Sequence, residues 1–171
     1  MAFISVFDVL GPNMIGPSSS HTAGAEIIAF LAQKMIAPPL KRADFTLYGS
    51  FAKTYKGHGT DKAVIAGILG MDTDDARIRS SMQIATEEGL DFTFIEEDID
   101  GAHPNTAEIT LTDEAGRTAL IRGASIGGGN SFSVVGVSGL GKSTALQRVL
   151  SLYPQVIEHT EYHGQKFYCH Q

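Results

Sequence analysis

The apolar residues change period along the chain, and that change limits the architectures open to it. Ile27, Ile28, Leu31 and Met35 form a helical stripe, and Val64, Ile65, Ile68 and Leu69 form a second. A third runs through Ile78, Met82 and Ala85. It follows Asp74 and Asp75, whose charges suit a helix start, and stops at Gly89. Beyond it the pattern turns β-rich or alternating over Phe92–Ile95, Ala107–Thr112 and Thr118–Ile121. Glu114-Ala115-Gly116 fits a hairpin turn between the last two. Phe45, Leu47 and Tyr48 read as an earlier strand running toward Ser50, and Ser5–Leu10 as a short strand or helical turn. Helices that cluster first and strands that come later predict an α+β fold, not a regular βαβ winding. Pro38-Pro39 closes the first helix, and Tyr55–Asp61 reads as a tight polar loop.

A chain of 171 residues is long enough for one core without covalent staples. The formal net charge of −6 speaks against a general nucleic-acid binder. The single cysteine, Cys169, excludes an intrachain disulfide and an iron–sulfur cluster held by this chain alone. No apolar run suits a membrane span, and MAFISVFDVLGP has no basic stretch and carries Asp8, so no signal peptide and a cytoplasmic address are expected.

Three polar loops carry more chemistry than a scaffold needs: GPSSSHT at 16–22, KGHGTDKA at 56–63 and HPN at 103–105. Singly, each reads as a helix cap, a glycine turn or a strand start. Together they point to one pocket. Glu96-Glu97-Asp98 reads as a solvated loop and not a metal site, because adjacent carboxylates on an extended chain cannot all point one way.

SVFDVLGPNMIGPSSSHTAGA, GSFAKTYKGHGTDKA, HPNTAEIT and SIGGGN, in this order, resemble the β subunit of iron–sulfur-dependent L-serine dehydratase. The resemblance covers residues 3–130 and implies an α+β domain similar to the allosteric substrate-binding domain of some phosphoglycerate dehydrogenases. It implies conversion of L-serine to pyruvate and ammonia. The [4Fe–4S] cluster then belongs to a separate α subunit, in a heterodimer or heterotetramer, and the chain is inactive alone. By that likeness His58 is the expected base and His21 lines the site. Ser18, Ser19 and Ser20 suit the substrate carboxylate, Thr60 and Asp61 belong to the same site, and Asp61 or Asn105 supplies an acceptor for the ammonium. No metal ligand is expected from this chain.

After Asn130 that likeness stops, which divides the chain into a dehydratase-type unit at 1–130 and a tail at 131–171. The tail holds GVSGLGKS at 136–143, a full GxxxxGK[ST] match between an expected strand (132–137) and helix (144–152). It resembles the opening of a P-loop ATPase domain, with Gly141, Lys142 and Ser143 suited to phosphate. The remaining strands and acidic magnesium ligand of such a domain are not recognisable. His159, His163, Cys169 and His170 fit no standard zinc spacing. Two alternatives therefore stand beside the dehydratase subunit: a non-catalytic amino-acid- or anion-binding module, and a nucleotide-binding protein acting through the tail.

Overall fold

A computed structural model of the chain describes residues 13–36, 38–127, 131–139, 156–162 and 165–170. It shows four helices and a mixed sheet, in agreement with an α+β fold. A π-helical turn, Ser19–Ala23, leads into α1 (Gly24–Lys34). Next come β1 (Leu40–Tyr48), α2 (Gly49–His58) and α3 (Thr60–Ile68). A 3-10 turn at Ala76–Ser80 then precedes α4 (Ser81–Glu87). The remaining elements are strands: β2 (Asp91–Glu97), β3 (Thr106–Asp113), β4 (Thr118–Gly127), β5 (Ser131–Gly139), β6 (Val156–Tyr162) and β7 (Gln165–His170).

The sheet order is β2-β1-β3-β4-β5-β7-β6. Among the described residues only the β1–β2 pair is parallel, and the helices α2 to α4 lie on the crossover between these two strands. The expected strands fall inside β1 to β4, and the expected strand at 132–137 falls inside β5. The expected segments at 5–10 and 144–152, together with Gly141, Lys142, Ser143 and His163, lie outside the described residues. His159 stands on β6 opposite Tyr168, on a strand and not a helix.

Register turns the alternating pattern into a core. Leu47, Ala107 and Gly123 form one cross-strand row, Phe45, Ile109 and Ile121 a second, and Ala43, Leu111 and Ala119 a third. Apart from Gly123, whose hydrogen adds no side chain, these residues belong to the main apolar cluster, beneath Ile28 and Leu31 of α1, Phe51 of α2 and Val64 and Ile65 of α3. The other face is polar: Arg122 pairs with Glu108, and Asp44 accepts from Arg42 and Thr93. One covered face and one solvated face are the usual state of antiparallel strands.

α1 and α3 approach closely at Gly67, where an added Cβ would lie 2.3 Å from the Glu26 carbonyl oxygen. Glu26 itself is buried, and its Oε2 has no partner. Burial, then the charges of Asp72, Asp75 and Asp74, push its carboxyl up to about 8.

The expected loop at Tyr55–Asp61 is corrected. Tyr55 to His58 form the last turn of α2, and only Gly59 interrupts the helical path before α3 starts at Thr60. Gly59 takes φ +70 and donates its N–H to the Tyr55 carbonyl, so one left-handed residue both caps α2 and turns the chain. A glycine-rich stretch reads as a loop from composition, yet Gly57 is tolerated here inside a helix.

Candidate active site

Three segments meet where the polar loops were expected to converge. Ser18 caps the π-helical turn, its hydroxyl accepting from the His21 N–H at 3.2 Å. This aims His21 at the C-terminal end of α2, where the His21 and His58 ring centroids stand 4.8 Å apart at 61°. The Thr22 hydroxyl donates to the His58 carbonyl at 3.0 Å and ties the two segments together. Phe51 packs edge-on against His21, with centroids 5.2 Å apart.

The two imidazoles differ in what holds them. His21 Nδ1 lies 3.0 Å from Ser20 Oγ and 3.4 Å from Ser18 Oγ, and its Nε2 lies 2.9 Å from Ser50 Oγ. Both of its nitrogens are engaged by hydroxyls. His58 Nδ1 is buried and has no partner. Burial, and secondarily the charge of His58, lower the pKa of His21, which favours its neutral form.

The HPN segment reaches this site through its backbone. The Pro104 carbonyl accepts from the N–H groups of Ser50 and Phe51, at 2.7 and 3.2 Å, and so satisfies two orphan donors at the start of α2. Gly49 permits this approach. Its φ is +55, and a Cβ there would lie 2.9 Å from Pro104 Cα. His103 Nδ1 accepts from the Asn105 N–H at 3.2 Å, and the Asn105 carbonyl accepts from the Ser125 N–H at 3.0 Å. Ser125 is fully buried, and its Oγ has no partner.

The structure thus joins Ser18, Ser20, His21 and His58 directly, and brings in the 103–105 segment through Pro104. Ser19 gives its carbonyl to the Gly24 N–H. Thr60 is fully buried with an unpartnered hydroxyl. Asp61 is partly buried, its Oδ1 accepts from the Lys62 N–H at 2.8 Å, and burial raises its carboxyl pKa. Sequence reasoning missed Ser50 and Thr22 as site residues. Ser50 stood in plain view at the end of a strand beside a glycine, inside the quoted GSFAKTYKGHGTDKA segment.

The chain's residues do not fit a cluster as its ligands. An iron–sulfur cluster needs several thiolates, and the only cysteine is Cys169 on β7. Among the described residues no group of three His, Cys, Asp or Glu side chains is placed to hold a metal ion.

Residues 5–88 match the family described as serine dehydratase beta chain. Over that span the chain belongs to the serine dehydratase beta-chain family. It is 54% identical over 129 residues to the probable L-serine dehydratase, beta chain, of Bacillus subtilis (strain 168), which covers 75% of this chain and 58% of that protein. It is 43% identical over 141 residues to the L-serine dehydratase, beta chain, of Peptoniphilus asaccharolyticus, which covers 82% of this chain and 63% of that protein. L-serine dehydratase 1 of Escherichia coli (strain K12) is 42% identical over 72 residues, 39% of this chain and 16% of that protein. The chain therefore spans less than two thirds of the length of these relatives. Its family membership bears out the resemblance read from the four motifs. No helix among the described residues is long and apolar enough to cross a membrane.

Proposed function

We propose that this chain is the β subunit of an L-serine dehydratase, converting L-serine to pyruvate and ammonia with an α subunit that carries a [4Fe–4S] cluster. The beta-chain names of the relatives support a partner subunit, and their dehydratase names favour this reading over a binding module or a nucleotide-binding tail. We assign the chemistry to residues 1–130, a cytoplasmic address to the protein, and no activity to the chain alone.

The observation that carries the reading is the asymmetry of the histidine pair. Removing the α-proton of serine calls for a base whose lone pair is not already committed. His21 has both nitrogens on hydroxyls, whereas no described side chain hydrogen-bonds the His58 ring; its Nδ1 is buried, which leaves Nε2 as the nitrogen open to a substrate. Histidine titrates near neutrality and suits proton abstraction. His58 is therefore the base, and His21 a positioning residue held neutral by its burial. Proton loss with departure of the β-hydroxyl as water leaves aminoacrylate. This rearranges to the imine, which takes up water to give pyruvate and ammonia.

Ser18, Ser19 and Ser20 border the place where the substrate carboxylate belongs. Asp61 and Asn105 are the acceptors for its ammonium, and Thr60 lines the same loop. The experiment is anaerobic co-expression with a candidate α subunit, followed by a pyruvate assay. Pyruvate formation by the pair and by neither subunit alone is expected. In that pair His58→Ala lowers turnover by about 10²–10⁴-fold, the usual contribution of a general base. Unchanged turnover in His58→Ala would remove the assigned base.

A further inference from the structure

Beside the histidine pair lies a cleft of about 460 Å³. Its volume falls within the range of small-molecule sites, about 300–1,000 Å³. Neither histidine lines it, nor do Ser18, Ser20 or Ser50. Among the described residues its ionisable lining side chains are Lys56, Lys62 and Arg79 and none of the lining is acidic, although the Asp61 carboxyl outside it feels the charges of Lys62 and Lys56. A chain of net charge −6 has thus gathered three cations around one concavity.

Arg79 is the telling member. Among the described residues, Arg42, Arg77, Arg117 and Arg122 each pair with a carboxylate at 2.5 to 2.7 Å. No such ion pair holds Arg79, Lys56 or Lys62, which are all exposed. The floor is open as well. Gly57 and Gly59 line the cleft, and a Cβ at either would meet nothing within 4 Å, so a ligand can approach the backbone closely.

We propose that this cleft is a second ligand site, for a small multiply charged anion such as one bearing a phosphoryl group. Clustered Lys and Arg provide charge-assisted hydrogen bonds to phosphate oxygens, with the guanidinium able to bind through two nitrogens at once. An amino acid such as L-serine is a poor match. Its ammonium would face three cations with no carboxylate among the described lining residues. The site stands independently of the reaction assigned above.

The test is calorimetric titration of the full chain with inorganic phosphate at low ionic strength, alongside Lys62→Ala, Arg79→Ala and His58→Ala, with circular dichroism to confirm that each variant is folded. One saturable site is expected. It weakens as salt is added, and by about ten- to a hundredfold in each cleft variant, as for loss of a hydrogen bond to a charged group. His58→Ala keeps it, and L-serine does not displace phosphate. The proposal is overturned by any of three results: no saturable binding to the folded chain, equal affinity in the cleft variants, or loss of binding in His58→Ala or on adding L-serine, which would put the anion at the histidine pair.

Discussion

The Ser50 hydroxyl lies 2.9 Å from His21 Nε2, across 29 positions of sequence. It fixes the far side of a ring whose near side rests on Ser20. Ser50 holds its own place through the Pro104 carbonyl, which accepts its N–H. Ser20, Ser50 and, through Ser50, the Pro104 carbonyl therefore bear on the orientation of one imidazole. Ser50→Ala is expected to lower turnover of the reconstituted enzyme by about tenfold, the cost of leaving a partly buried ring nitrogen unmatched, while the fold is kept. Steady-state kinetics with Ser50→Thr as the rescue variant check this. Recovery with Thr marks the hydroxyl itself as the group that matters.

The coupling of the two rings has its own signature. His21 is held below the ordinary histidine range first by burial and second by His58. In His58→Gln the second cause is gone, so the His21 pKa is expected to rise while burial still keeps it below the ordinary value. NMR titration of the His21 ring reads this directly. An unchanged or lower value would mean that the rings do not interact as their 4.8 Å spacing requires.

Gly49→Ala places a methyl 2.9 Å from Pro104 Cα on a backbone at φ +55. The chain must shift or strain, at a cost of about 1–3 kcal/mol. The expected result is a lower urea midpoint together with reduced activity of the reconstituted enzyme, because Ser50 is the next residue.

Glu26 sets a pH dependence of stability. Its folded-state value of about 8 lies above the ordinary 4.5, so the folded chain keeps a proton that the unfolded chain has released. Stability from this group is greatest below pH 4.5, falls as pH rises from there to about 8, and changes no further above it. Glu26→Gln removes the titration. It is expected to stabilise the protein at pH 8 relative to pH 5 by on the order of 3 kcal/mol. Denaturant melts of both proteins at the two pH values check it, and equal differences at both would contradict the burial of a neutral carboxyl.

Much of this protein was written in local pattern. Alternation in Ala107–Thr112 marks β3, the stripe at Ile27–Met35 marks α1, and the motifs that resemble the serine dehydratase β subunit carry His21 and His58. These features are local because side-chain period is set by backbone geometry within a few residues. The helical state of Tyr55–His58 was not legible. Glycine content argues for a loop, and the N–H groups that start this helix find their acceptor at Pro104, more than forty residues away. Nor did composition show that Ser50 would serve His21, that Asn105 would reach Ser125, or that Arg79 alone among the described arginines would lack a carboxylate. Those outcomes depend on strand register and on where the α2–α3 turn at Gly59 aims the chain. Both are decided by packing between distant segments, so residue types and spacings, which point to one polar pocket and carry the family resemblance, leave its geometry to the tertiary structure.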